Sequence, residues 1–212
     1  MNSKFVKRVC KENGIPASAA ATIIGLRDYV LEKRWKGASY AVSAILYVCL
    51  KERGLDPKLC LGKCLGVTKG NNRYFFDYGW VELDGKVIDL TSDMLLESRP
   101  PLDPVILGMD SRTDEETTTK YGVYGHFGEV EERFALTKEI FNETDVFRDI
   151  MNIKNYRKVI DEQDGLWSAA MKILGRKGSP KHLKEKYSDL PWEFKERYLV
   201  KINPDRTIDI HE

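Results

Sequence analysis

A serine, a tyrosine and an aspartate could meet in one reactive site of this chain: Ser39, Tyr78 and Asp89. Ser39 follows Gly37 and Ala38 at the point where a helical apolar pattern begins. A helix N-terminus exposes N–H groups and partial positive charge, which help to lower a nucleophile's pKa and to hold an oxyanion. Tyr78 and Asp89 follow in segments of strand pattern. Such a grouping suggests nucleophilic attack on an acyl group.

A predicted β-hairpin places Tyr78 and Asp89 on the same face of a sheet. Its turn is "DG" at positions 84 and 85, a strong signal for a two-residue turn. Counting outward from the turn pairs Trp80 with Asp89, and Tyr78 lies two positions along on the same face. The aromatic row predicted for this face is Tyr74, Phe76, Tyr78 and Trp80.

The surrounding elements predict an α+β fold, with a helix packed on an antiparallel β-meander. Helices are predicted over "IPASAAATIIGLRDYVLEKRW" and over the segment that starts at Ser39. The strands "KLCLGKCLGV", "YFFDYGWVEL" and "KVIDL" follow. We assign residues 15–110 to this α+β core.

Residues 111–212 are predicted to form a helical extension. Helical patterns recur in "LTKEIFNETDVFRDIMNI", "DGLWSAAMKILGRK" and "HLKEKYSDLPWEFKERYL". These amphipathic pieces are too short to be stable alone, which favours packing on the core.

The order of these features resembles the transglutaminase-like branch of the papain-like cysteine-protease superfamily, above all its small bacterial and phage-type members. The resemblance rests on the small residues before the helix of Ser39, on "YGWVELDG" and on the aspartate that follows. It covers Trp35 to Asp93. It implies that Ser39, Tyr78 and Asp89 occupy the nucleophile, base and orienting-acid positions of the triad. The residues expected to line the cleft are Tyr40, Trp80 and Trp35.

Two of these three positions carry residues unsuited to the family's thioester chemistry. A serine hydroxyl is far less acidic than a thiol and needs a positioned base. Tyr78 has a reference pKa of ~10, and a neighbouring aspartate raises it further. The loss of a general base costs roughly 10²–10⁴-fold in rate. We therefore expect a non-catalytic protein that uses its cleft or its helical half to bind a protein or peptide.

Other interpretations stay open at this point. An active hydrolase or acyltransferase on peptide or amide substrates could draw a thiol from Cys60 or Cys64, or an imidazole from His126. The tryptophans of "LWSAAMKIL" and "DLPWEFKERYL" could anchor a partner, although core packing is the simpler explanation. Ser39 could be only a helix N-cap. The Tyr78–Asp89 pair could be only a buried hydroxyl satisfied by a carboxylate.

The composition excludes several function classes. The chain has 212 residues and a formal net charge of +1, and no basic patch stands out, so nucleic-acid binding is not expected. No apolar run reaches the length of a membrane span, and "MNSKFVKRVCKENG" is not a secretory signal, so a cytoplasmic protein is expected.

The four cysteines should be free thiols. With three histidines and no second cysteine pair near "CLGKC", no metal or cofactor is predicted.

Overall fold

The computed structural model describes residues 1–67, 73–95, 102–125, 165–205 and 207–212. The helices within these ranges are α1 (Ser3–Glu12), α2 (Ala17–Lys33), α3 (Ser39–Lys51), α4 (Gly165–Leu174) and α5 (Lys181–Lys186). The strands are β1 (Lys58–Val67), β2 (Arg73–Leu83), β3 (Lys86–Asp89), β4 (Val105–Ile106), β5 (Met109–Asp110), β6 (Lys120–Gly125), β7 (Trp192–Phe194), β8 (Tyr198–Ile202) and β9 (Ile208–His211). The predicted α+β class is confirmed.

One sheet contains all of these strands, in the order β5-β4-β3-β2-β1-β6-β8-β9. β1 pairs along its length with β2, while its other edge is shared by β7 over Leu59–Leu61 and β6 over Lys63–Leu65. The β1–β7 and β6–β8 pairs are parallel and the other pairs are antiparallel. β7 therefore lies beside β1, and β8 and β9 extend the sheet beyond β6.

The predicted meander is confirmed in its strands, turn and register. Asp84 and Gly85 have φ angles of 51° and 74°, as a type I′ hairpin turn requires. Val81 pairs with Ile88, which is the register that the "DG" turn predicts. The alternation of side chains along β2 and β3 thus follows from the turn.

The helices pack on one face of this sheet around α3. Every residue of α3 from Ser39 to Leu50 is buried. Helices α2 and α4 and strands β1 and β2 surround it. A helix enclosed in this way is apolar on all sides. Helix α1, which the sequence interpretation did not identify, buries Phe5, Val6, Val9 and Cys10.

The segment 111–212, predicted to form a helical extension, contains strands as well as helices. The helix predicted over "DGLWSAAMKILGRK" forms as α4, but the one predicted over "HLKEKYSDLPWEFKERYL" forms only as the short α5. The remainder of that stretch makes β7 and β8, because Pro191 interrupts a helix and "YLVKI" finds a partner in β6. The helix predicted over residues 136–153 lies outside the described residues. Across the described ranges, no helix combines the length and the apolar character needed to span a membrane.

Candidate functional site

The Asp89 carboxylate is the centre of a buried hydrogen-bond network. Asp89 is 3% exposed. Tyr78 Oη donates to its Oδ1 at 3.0 Å, and Tyr121 Oη donates to its Oδ2 at 2.7 Å. The backbone N–H of Thr91 also donates to Oδ1, at 2.9 Å. Both carboxylate oxygens are therefore satisfied inside the protein.

Three strands and one turn bring these groups together. The β2–β3 register places Tyr78 and Asp89 on one face, as predicted. β6 supplies Tyr121, which stands opposite Cys64 of β1. The Thr91 hydroxyl lies 2.7 Å from Tyr78 Oη, so each phenol or hydroxyl in the network has a partner. The side chains of Tyr78, Asp89, Thr91 and Tyr121 thus form one buried hydrogen-bonded group.

Burial controls the ionisation of this group. Burial raises the pKa of the Asp89 carboxyl above its usual range, although the hydrogen bonds from Thr91, Tyr121 and Tyr78 oppose that rise. Burial, and then the charge of Asp89, raise the pKa of both the Tyr78 and the Tyr121 phenol well above the ordinary value. Both phenols keep their protons at neutral pH, so they can donate hydrogen bonds but cannot act as general bases.

The start of α3 lies on the other face of β2, and the structure does not bring Ser39 to the Tyr78–Asp89 pair. The β2 residue beneath this helix end is Gly79: a Cβ placed there would lie 2.9 Å from Tyr40 Cδ1. Tyr78, the preceding residue, points to the opposite face and packs with a separate apolar cluster. The predicted meeting of three side chains is thus reduced to two.

Ser39 is not a helix cap either. Ala38 is the N-cap of α3, and the structure shows no capping hydrogen bond from a side chain at this end. Ser39 itself is the first helical residue and is 4% exposed. The neighbouring hydroxyl that does bond to the sheet is Ser43 Oγ, which donates to the Gly79 carbonyl at 2.9 Å. Ser39 is a buried small residue at a packed helix start.

The residues predicted to line one cleft belong to two different apolar clusters. Tyr40 covers Gly79 and has its ring centroid 6.0 Å from that of Trp192. Trp80 is fully buried on the other face, where its Nε1 donates to Glu82 Oε1 at 3.1 Å. Trp35 packs edge-on against Tyr29 of α2, with a centroid distance of 5.4 Å. Tyr40 and Trp35 thus contact one apolar cluster, while Trp80 belongs to another.

The thiols of β1 are poorly suited to act as nucleophiles. Cys60 and Cys64 are fully buried in the core. Burial raises the pKa of Cys60 to about 12 and that of Cys64 well above the ordinary value. His126 lies outside the described residues. In the part of the chain that the structure describes, no cluster of three or more potential metal ligands occurs.

Sequence reasoning missed Tyr121, Thr91 and the ion pair of Glu82 with Arg197. Arg197 Nη2 donates to Glu82 Oε1 at 3.1 Å and thereby supplies a charge partner to a buried carboxylate. The alternating pattern of "KYGVYG" was a weak signal for the strand of Tyr121. Nothing local in the sequence indicates that residues 121 and 197 return to β1 and β2.

Comparison of the chain with protein-family models, with curated proteins and with solved structures gave no match. The function has to be inferred from the residues themselves.

Proposed function

We propose that this chain is a cytoplasmic, transglutaminase-like protein of bacterial or phage type that does not catalyse acyl transfer and acts by binding. The positions of the base and the orienting acid are filled by Tyr78 and Asp89, which serve to hold the sheet together. A protein or peptide partner, expected from the sequence, stays a prediction.

The observation that carries this proposal is the double occupancy of the Asp89 carboxylate by two phenols. A triad aspartate orients an imidazole, which then takes a proton from the nucleophile. Here Tyr78 and Tyr121 take both oxygens of Asp89, and each keeps its own proton. The group is buried, and the Asp89 carboxylate, which could accept a proton, already accepts hydrogen bonds at both of its oxygens.

Enzyme assays on the full chain test the proposal. We expect no release of ammonia from a glutamine peptide with an amine acceptor, and no hydrolysis of p-nitrophenyl acetate above the buffer rate. The same assays on Ser39→Ala, with Ser111→Ala as the matched control, should show no difference. A turnover that disappears in Ser39→Ala and persists in Ser111→Ala would establish the alternative, an active hydrolase or acyltransferase.

A second set of variants covers the thiols. Like the wild-type chain, Cys60→Ala and Cys64→Ala should show no turnover in these assays. If the wild-type chain turns over substrate and one of these variants does not, the nucleophile is a cysteine of β1, and the non-catalytic proposal fails.

A further inference from the structure

The sheet ends in an open edge at β9. Among the described residues, no strand pairs with the outer side of β9. The opposite edge of the sheet is different, because Met109 of β5 already forms a bridge with Glu116. β9 also lacks the proline, lysine or bulge with which monomeric proteins protect an exposed edge. Its backbone is therefore available to pair with a further strand.

The hairpin of β8 and β9 fixes which backbone groups of β9 face outward. The Asn203 N–H donates to the Thr207 carbonyl at 2.9 Å, and the pairing continues in the same register along β9. Hydrogen-bonded pairs alternate with non-hydrogen-bonded pairs in an antiparallel ladder, so Asp209 points its backbone groups towards β8. Ile208 and Ile210, on either side of it, point theirs away from the sheet.

Exposed apolar side chains are concentrated at this end of the sheet. Of the five large apolar side chains that are exposed in the described part of the chain, four lie on β6, β8 and β9: Tyr124, Leu199, Ile202 and Ile210. Ile202 and Ile210 are each 38% exposed and lie on one face of the sheet with Ile208. A strand added at β9 would place its own side chains beside Ile208 and Ile210 and remove part of this apolar surface from water.

The other face of β9 makes the strand complementary to a second copy of itself. Asp209 and His211 are two residues apart and therefore share that face. If two copies of β9 pair antiparallel about Ile210, Asp209 of each copy stands opposite His211 of the other in a non-hydrogen-bonded pair, where side chains are closest. Pairing about Asp209 would instead place two carboxylates opposite each other, which is unfavourable. Pairing about Ile208 would set Asp209 opposite Thr207, without a charge partner.

The surroundings of Asp209 leave one of its oxygens available. Asn203 Nδ2 donates to Asp209 Oδ2 at 2.9 Å. Lys201 of β8 stands opposite Asp209 in the ladder, but within the described residues it forms no ion pair with that carboxylate. The His211 imidazole stands opposite Leu199 on β8, so it meets no carboxylate there. Asp209 and His211 can therefore each take a partner from outside the chain.

We infer that two copies of the chain pair through β9 into a dimer with one continuous sheet, whose two-fold axis passes Ile210. The backbone groups of Ile210 bind those of the same residue in the second copy, and the two Asp209–His211 pairs fix the register. A two-fold contact of this kind closes on itself and does not propagate. Because the paired strands are short, the contact is smaller than a standard interface, and we expect a dissociation constant in the micromolar range. Dimerisation does not involve the Asp89 network and is independent of the proposed function.

Sedimentation velocity of the full chain across the micromolar range tests the dimer. At pH 6, where an imidazole beside a carboxylate is cationic, the average mass should rise with concentration towards twice that of one chain. Ile210→Pro removes the outward N–H without interrupting the ladder to β8, so this variant should stay monomeric. Ile210→Val keeps the N–H and should dimerise like the wild type. Thermal unfolding of both variants confirms that each is folded.

An exchange of two side chains tests the register. Asp209→His brings two imidazoles opposite each other, and His211→Asp brings two carboxylates opposite each other. Each single variant should raise the dissociation constant about five- to tenfold. The double variant, Asp209→His with His211→Asp, recreates the opposite-charge pairs in the same register and should restore the wild-type constant. A merely structural role of either side chain within one chain would not give this rescue.

Hydrogen exchange locates the contact. The N–H groups of Ile208 and Ile210 should exchange more slowly at high than at low protein concentration. The Asp209 N–H, which faces β8 in the single chain, is the internal control and should change little.

Three results would overturn the inference: a monomer at every concentration, a dimer that persists in Ile210→Pro, or a double variant as weak as the single variants. A chain that stays monomeric but binds an unrelated extended peptide along β9 would replace the second copy with a peptide strand.

Discussion

At the scale of single residues, the Asp89 carboxylate is held by hydrogen-bond donors. Two phenols, one backbone amide and a nearby hydroxyl surround it. A buried carboxylate is tolerated only when its oxygens are satisfied, so each donor contributes to stability. The two oxygens differ, however, because Oδ1 receives Tyr78 and Thr91 while Oδ2 receives Tyr121.

That difference predicts an order of stability among phenylalanine variants. Tyr121→Phe removes the donor to Oδ2 and should lower the free energy of unfolding by about 2–3 kcal/mol. Tyr78→Phe should lower it by about 1 kcal/mol, because Thr91 still donates to Oδ1. Urea denaturation followed by circular dichroism measures both changes.

Tyr124→Phe is the control for these variants, since Tyr124 is 38% exposed on the same strand as Tyr121. Its effect should stay within about 0.5 kcal/mol. If Tyr121→Phe is as mild as this control, the Asp89 network does not hold the sheet together.

At the scale of elements, the position of α3 explains why no triad assembles. Its first turn sits on Gly79, and a glycine is needed there because Tyr40 occupies the space of a side chain. The sequence could predict the helix itself and the hairpin of β2 and β3, because periodicity and a "DG" turn are local signals. It could not predict which sheet face the helix covers, since α3 is apolar on all sides and has no polar stripe to orient it.

A pair of alanine variants tests this packing. Gly79→Ala should destabilise the protein by about 1–3 kcal/mol, because its methyl group would press on the ring and Cα of Tyr40. Gly25→Ala, inside α2, meets its nearest atom at 3.9 Å and should stabilise by about 0.5–1 kcal/mol. Thermal unfolding of both variants is the measurement. Equal shifts of the same sign would contradict the close approach of α3 to β2.

The end of α3 carries a second contact between elements, centred on Glu52. Its side chain is only 6% exposed and bonds to Lys186 Nζ at 2.6 Å, to Tyr187 Oη at 2.8 Å and to Arg176 Nη1 at 2.6 Å. Burial alone would raise the pKa of the Glu52 carboxyl, but these three partners outweigh it and hold the pKa at about 2. Glu52 thus ties α3 to α4 and α5.

The lowered pKa of Glu52 gives a pH dependence of definite sign. The ionised carboxylate stabilises the fold above pH 4.5, and this contribution is lost as the pH falls towards about 2. Glu52→Gln should remove about 2–3 kcal/mol of stability at pH 7 and much less at pH 3. Urea unfolding at both pH values measures the difference. The control is Asp56→Asn, which removes an exposed ion pair with Lys51 and should change the pH dependence of stability little. If Glu52→Gln leaves the change of unfolding free energy between pH 7 and pH 3 unaltered, the Glu52 carboxylate does not stabilise the fold in this way.

At the scale of the whole molecule, the sheet joins distant parts of the chain. β7 pairs with β1, and β8 pairs with β6. Val200 of β8 is buried in one apolar cluster with Leu65 and Val123. Such pairings between residues far apart in sequence leave no local signal, which is why the predicted helix extended to Tyr198 and Leu199, where β8 begins. The predicted boundary at residue 110 falls between strands of one sheet.

Two truncations test this continuity. A chain ending at Pro191 lacks β7, β8 and β9 and should lose cooperative thermal unfolding, because β1, β6 and the Glu82 carboxylate lose their partners. A chain ending at Thr207 lacks only the edge strand β9 and should still unfold cooperatively, at a lower Tm. If the chain of residues 1–191 unfolds at the same Tm as the full chain, the C-terminal strands only pack on a core that is stable without them.

Native-state labelling tests most directly the proposal that no reactive nucleophile is present at these positions. The folded chain is treated with a fluorophosphonate and with iodoacetamide at pH 8, and the modified residues are mapped by mass spectrometry. We predict no adduct at Ser39, Cys60 or Cys64 in the folded protein, and cysteine adducts only after unfolding in urea. A stoichiometric adduct at Cys60 or Cys64 in the folded protein would contradict the account. So would an adduct at Ser39 that forms in the folded protein and not in urea.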